Sequence, residues 1–208
     1  VQQAPRSTMI REFFKNAEEN AALEPSGKGE VKIYPVTING IRKLAFYNTG
    51  IGMDEADLRT ATEISASLNK SMGLDGNFGI GAKVSGLAVS PFGIRYRSCK
   101  NGAVSQVEIG FDEEKKQYVR FAFELSGGQT DTVFDVTEAA MKEGKSVDID
   151  WTEVVLMGVS EDHDTVAQPL TKGETVDRCF IPSEIFRRFA SFLPGVKLLV
   201  DTAMTKGG

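Results

Sequence analysis

The sequence predicts an α+β protein: a two-layer α/β sandwich with helices on one face of a mixed, mostly antiparallel sheet. Three observations carry that expectation. An amphipathic helical stretch comes first, a strand pair with a tight-turn dipeptide follows it, and a run of further strands comes after a second helical stretch and a glycine-rich loop.

Residues 7 to 23 read as the first helix. Ser7 and Thr8 can cap it, and Ile10, Phe13, Phe14, Ala17 and Ala21 fall on one stripe at helical spacing. "PSGKGE", residues 25 to 30, is a loop. "VKIYPVTINGIRKLAFY" then reads as two strands joined at Asn39-Gly40, a dipeptide suited to the positive backbone angles of a tight hairpin. Helical pattern resumes from about Asp54 to Leu68, because "DEADL" places acids in a first turn, where the helix dipole favours them. Gly73 to Gly81 forms a glycine-rich loop, and Ala82 to Val89 is helix-like. Strands are expected near 92–99, 103–111, 117–125 and 145–151, with a turn at Asn101-Gly102. "IPSEIFRRFASFL" reads as a helix and "GVKLLVD" as a last strand.

The chain has 208 residues, 41% of them hydrophobic and 25% charged, as expected for one globular domain spanning 1–208. No apolar run approaches the roughly 20 residues needed to cross a bilayer, and the amino terminus lacks a secretory layout. The expected setting is therefore soluble and cytoplasmic, with no membrane partner. Cys99 and Cys179, far apart and in no metal-type spacing, read as reduced thiols. A net charge of -5 offers no global attraction to nucleic acid, so no such partner is inferred. The single histidine, His163 in "SEDHDT", reads as a loop residue rather than a metal ligand.

Three constellations carry chemistry. In "REFFKNAEENA", Glu12 and Asn16 stand four apart on one helical face, and Glu19 and Asn20 continue that strip. The plain alternative is a solvated helix face. Chemically, a carboxylate can take a proton from an attacking water, and a neutral amide oxygen is a hard ligand suited to Mg²⁺. In "YNTGIGMDEADL", Gly50 and Gly52 let the backbone turn sharply and approach a planar ligand. In "GNFGIGAK", Gly76, Gly79 and Gly81 precede a helix and can present backbone N–H groups to phosphates. This loop follows a helical segment, which argues against a dinucleotide-binding unit, and no G-K-[ST] ends it as in a P-loop.

Taken in order, E-x-x-x-N on an early helix, a strand ending in D-x-G-x-G with Asn48 in place of the aspartate, and a G-x-x-G-x-G loop resemble the GHKL nucleotide-binding family over most of residues 7 to 151. "NTGIGMDEADL" and "GNFGIGAK" look most like its heat-shock 90 branch, and the microrchidia-type ATPases are similar. The resemblance implies a Bergerat fold that binds ATP with Mg²⁺ between helices and sheet. It implies Glu12 as general base, Asn16 as magnesium ligand, and Glu19 where relatives carry an aspartate. Gly50, Gly52 and Met53 would form the adenine-pocket turn. Gly76, Phe78, Gly79 and Gly81 would form the phosphate loop, and residues 58–75 a lid that folds over nucleotide. Lys70 and Lys83 could reach phosphate. "EGKSVDI", Glu143 to Ile149, stands where relatives have a G-T-x-[VI] strand near the adenine, with Lys145 or Ser146 at the threonine position.

Asn48 departs from the family, which has an aspartate accepting a bond from the adenine amino group. The amide keeps a carbonyl acceptor and loses the charge. A neutral bond is worth roughly 1 kcal/mol against about 1.5–3 for a charged one, so a loss of about tenfold in affinity follows. The amide also brings a donor, which leaves adenine and guanine both open. With Glu12 retained, the resemblance implies slow ATP hydrolysis that switches the lid and dimerisation. The alternative is a non-hydrolysing or degenerate module that acts as a protein-interaction switch. The expected partners are nucleotide, a second copy or downstream domains of a larger protein, with residues 152–208 completing the sheet.

Overall fold

The computed structural model describes residues 6–63, 80–125 and 127–201. Helix α1 (Thr8–Ala21) opens the chain. Its apolar stripe is buried as the periodicity predicts: Met9, Ile10, Phe13, Phe14, Ala17 and Ala21 all lie in the main core. Each large side chain so buried contributes about 1.5–3 kcal/mol, and together they outweigh the roughly 1 kcal/mol typical of a helix cap. Ser7 is not the expected cap. It makes no side-chain capping bond, and its Oγ instead accepts from Arg188, 3.0 Å away.

Strands β1 (Gly29–Ile38) and β2 (Ile41–Thr49) form the expected hairpin. Asn39 and Gly40 take φ of 50° and 79° at its turn. Helix α2 (Glu55–Ala61) follows, capped by Asp54 in a reciprocal pair of bonds with Asp57. The expected helix reached Leu68, and residues 64–79 lie outside the described part. Helix α3 (Ile80–Val89) leads into β3 (Gly93–Lys100) and β4 (Ala103–Asp112). The strand expected over 117–125 is two pieces. β5 (Gln117–Arg120) pairs with β4, while β6 (Phe123–Glu124) turns away to pair with β7 (Thr130–Asp131) in a separate small sheet. β8 (Val133–Asp135) and the short α4 (Thr137–Lys142) come next.

The strand expected at 145–151 begins only at its last residue, as β9 (Trp151–Gly158). "VDID" alternates like a strand, yet Ile149 is exposed and Asp150 Oδ1 accepts from the Asn101 backbone N–H at 2.9 Å. The segment is spent anchoring a loop. Helix α5 (Phe180–Arg188) and strand β10 (Val196–Val200) close the described fold.

The main sheet runs β10-β1-β2-β9-β3-β4-β5, and β8 also pairs with β4. Every pairing in it is antiparallel except β1 with β10. Residues of α1, α2, α3 and α5 join the inward side chains of β1, β2, β9, β3 and β4 in one core, so the helices cover one face. On the other face, Tyr47, Cys99, Val104, Ala140 and Trp151 form a smaller cluster.

Candidate functional site

The helix-side face of the central strands changes from apolar to polar at one end. Leu44 and Phe46 of β2, Val154 and Leu156 of β9, and Ile94 and Tyr96 of β3 pack into the core. Two residues along, in phase with that alternation, stand Asn48, Thr152 and Ser98. Asn48 is the register partner of Thr152, and Thr152 is the register partner of Ser98. Their side chains form a polar row across three strands. Thr152 and Ser98 hydroxyl oxygens lie 2.8 Å apart.

The row corrects the sequence reading of residues 143–149. Neither Lys145 nor Ser146 stands beside Asn48; Thr152 does, in the pattern "WTEV". T-x-V was legible there, but a tryptophan and not a glycine precedes it, so it did not read as G-T-x-[VI]. Ser98 was also missed, because nothing in "YRSCK" marks a serine as special.

Asn48 is buried, 5% exposed. Its Nδ2 donates to the Thr49 carbonyl at 2.9 Å, so Oδ1 remains the open acceptor and takes no hydrogen bond from the described residues. The turn that follows is fixed by close backbone contacts. A Cβ on Gly50, where φ is 135°, would stand 2.2 Å from the Asn20 carbonyl oxygen of α1. A Cβ on Gly52 would stand 1.8 Å from the Cys99 carbonyl oxygen of β3. These glycines are therefore required by the protein's own packing. Asn20 Nδ2 donates to the Ile51 carbonyl at 3.1 Å, and the Met53 N–H donates to Ser98 Oγ at 2.8 Å.

The other end of the α1 strip meets α3. A Cβ on Gly81 would lie 2.5 Å from Glu12 Oε2, so the first turn of α3 rests on the Glu12 carboxylate. Glu12, Asn16 and Asn20, four apart, step along one face of α1 from Gly81 to the Gly50–Met53 turn, a span of about 12 Å. Glu12 keeps 21% of its side chain exposed and faces Arg11 at 3.4 Å. Glu19 pairs with Lys15 at 3.6 Å, in solvent. Glu18, not singled out in the sequence, is buried and accepts the Leu193 backbone N–H at 2.7 Å.

Lys83, which the resemblance implies could reach phosphate, does not stand on the solvated surface. It is buried, and its Nζ donates to the Ala61 carbonyl at 2.8 Å and the Glu63 carbonyl at 3.4 Å. Burial lowers its pKa, against the attraction of Glu63. Gly76, Phe78, Gly79 and Lys70 lie outside the described residues, as does most of the expected lid. Among the described residues no group of three or more His, Cys, Asp or Glu side chains is placed to hold a metal ion. His163, expected in a loop, sits in one but is buried: Nδ1 accepts from the Val159 N–H at 3.1 Å, and Nε2 faces the Gln168 carbonyl at 2.9 Å.

No protein-family description matches the sequence, and no curated protein matches it. Among solved structures, the ATPase and transducer domains of DNA topoisomerase II from Balamuthia mandrillaris match 93% of this chain with a TM-score of 0.51 and 13% identity. This chain shares the fold of that region, a two-layer α/β sandwich with helices on one face of a mostly antiparallel sheet (the Bergerat fold). It spans 46% of that structure's length. Among the described residues, no helix is long and apolar enough to cross a membrane.

Proposed function

We propose that this chain binds ATP with Mg²⁺ between α1, α3 and the Asn48–Thr152–Ser98 row, and hydrolyses it slowly. The single observation that carries the reading is that one face of α1 joins both ends of such a site. Asn20 holds the Gly50–Met53 turn beside the polar row, and Glu12, two turns back, holds Gly81 at the start of α3. The base would lie at the first end and the phosphates at the second.

The residues fit these groups chemically. Asn48 Oδ1 offers an unused acceptor to an exocyclic amino group. The cradle at Gly81 is open only because no Cβ fills it. Asn16, between the two ends, supplies an amide oxygen suited to Mg²⁺. When bound, the cation would offset phosphate charge. Glu12 would accept a proton from the attacking water, and its carboxylate oxygen already borders α3. Residues 58–75 would act as the lid, with nucleotide state governing its closure and dimerisation. Residues 1–208 would form one cytoplasmic domain of a larger protein, closest in motif to the heat-shock 90 and microrchidia branch.

A second reading is a module that binds nucleotide without turnover, presenting an ordered lid to a partner. It is favoured by the uncharged Asn48 and by the Arg11 guanidinium beside Glu12. Glu12→Ala separates the two. Under the hydrolytic reading it retains ATP binding and loses phosphate release by about 10²-fold or more. Unchanged release would remove Glu12 from the chemistry.

A further inference from the structure

Behind the polar row, on the opposite face of the sheet, a lysine sits in a cage of aromatic rings. Lys145, from the loop between α4 and β9, places Nζ 4.9 Å from the Tyr34 ring centre, 5.7 Å from Tyr47 and 5.8 Å from Trp151. The same ammonium donates to the Tyr34 hydroxyl at 2.5 Å and forms a short ion pair with Glu153 Oε2. Tyr34 also donates to that oxygen. Trp151 Nε1 ties the loop down again by donating to the Ser146 carbonyl at 2.7 Å.

This cluster is costly and incomplete. Glu153 is 1% exposed, and its other oxygen, Oε1, has no hydrogen bond; Arg95, 3.7 Å away, has an unbonded Nε. Burial works to raise the Glu153 pKa, and the charge and bond of Lys145, with Tyr34 and Arg95, outweigh it and hold the carboxyl below its ordinary value. Breaking such a pair by removing Lys145 would leave a buried charge short of its main partner.

The placement along β9 gives the cluster a role. Trp151 and Glu153 point into the cage, and Thr152 between them points the other way, to Asn48 and Ser98. Because strand residues alternate, a latch on 151 and 153 fixes the height and direction of 152. We infer that Lys145 is a positioning residue for the base end of the site, acting through Glu153 and Trp151 to set Thr152 against Asn48. This deepens the nucleotide-binding reading and rests on it for the ligand, but the strand geometry is testable without one.

The experiment compares wild type, Lys145→Met and Glu153→Gln by two readouts. The first is hydrogen–deuterium exchange of residues 48–49 and 151–153 without ligand. The second is the affinity for ATP with Mg²⁺ beside that for inorganic tripolyphosphate, which carries no base. The latch predicts exchange in these segments faster by about tenfold or more, ATP affinity down by about tenfold, and tripolyphosphate affinity unchanged. Equal losses for both ligands would show a merely structural role and overturn it. Exchange like wild type in both variants would overturn it too, even if wild type binds no nucleotide. In that last case the failure of binding counts against the proposed function, and the exchange result alone decides the latch. If Lys145→Met does not fold, Glu153→Gln, which keeps the shape and one accepting oxygen but removes the charge that holds Lys145, carries the comparison.

Discussion

Asn48 and Thr152 stand directly opposite each other on antiparallel strands β2 and β9, on the face that the helices cover. Residues 104 apart in sequence would thus form the floor of the proposed site. The Asn48 amide is oriented by its bond to Thr49, and the Thr152 hydroxyl by Ser98. Recognition of a base at this floor would be by neutral groups alone.

Asn48→Asp should therefore change two quantities in opposite directions. The carboxylate cannot donate to the Thr49 carbonyl, 2.9 Å away, and would face it with like polarity. Unliganded stability should fall by about 1 kcal/mol. ATP affinity should rise by about tenfold, as a charged acceptor replaces a neutral one. Thermal unfolding and calorimetric titration of the same preparation check both. No gain in ATP affinity would mean that Asn48 does not meet the base.

Thr152→Val keeps the shape and removes the hydroxyl. It should lower ATP affinity severalfold and leave tripolyphosphate affinity unchanged, measured by competition, because only the base end is touched.

Two glycines at the site should behave differently. Gly81→Ala brings a Cβ within 2.5 Å of Glu12 Oε2, the far end of a flexible side chain that can swing away. The fold should survive with a small change in melting temperature, and steady-state phosphate release should drop by about tenfold or more. Gly52→Ala brings a Cβ within 1.8 Å of the Cys99 carbonyl, which is backbone and cannot yield. That variant should lose about 2–3 kcal/mol in denaturant titration.

How much of this was legible in the sequence follows from the range of the interactions. The α1 stripe and the Asn39-Gly40 hairpin are local patterns, and both appear as expected. Thr152 was missed because its place beside Asn48 depends on strand register, which no local signal encodes. The strand start at 145–151 was misplaced for the reason that made the latch visible: Lys145 and Asp150 are engaged in long-range bonds, and Ser146 in one to Trp151, that override alternation. Lys83 looked like a surface lysine, and only the fold brings α2 carbonyls to its ammonium.

Stability should depend on pH through His163. Burial holds its pKa below the ordinary 6.5, against the bond to the Gln168 carbonyl, with Lys43 adding to the depression. Both ring nitrogens are engaged in a neutral arrangement. In the unfolded chain the imidazole takes up a proton as pH falls through about 6.5, and in the folded chain it resists. The unfolded state then binds more protons, so stability is full above that pH and is lost below it. Thermal melts between pH 8 and about 5 should show the midpoint falling through this window, and His163→Gln should flatten that part of the curve.

The most direct test of the central claim is calorimetric titration of the folded wild-type protein with ATP and then GTP, each with Mg²⁺. The arrangement of Glu12, Asn16, Asn48, Thr152 and the glycine turns predicts saturable binding of ATP that Thr152→Val weakens. No heat with either nucleotide, on protein shown to be folded, would contradict it.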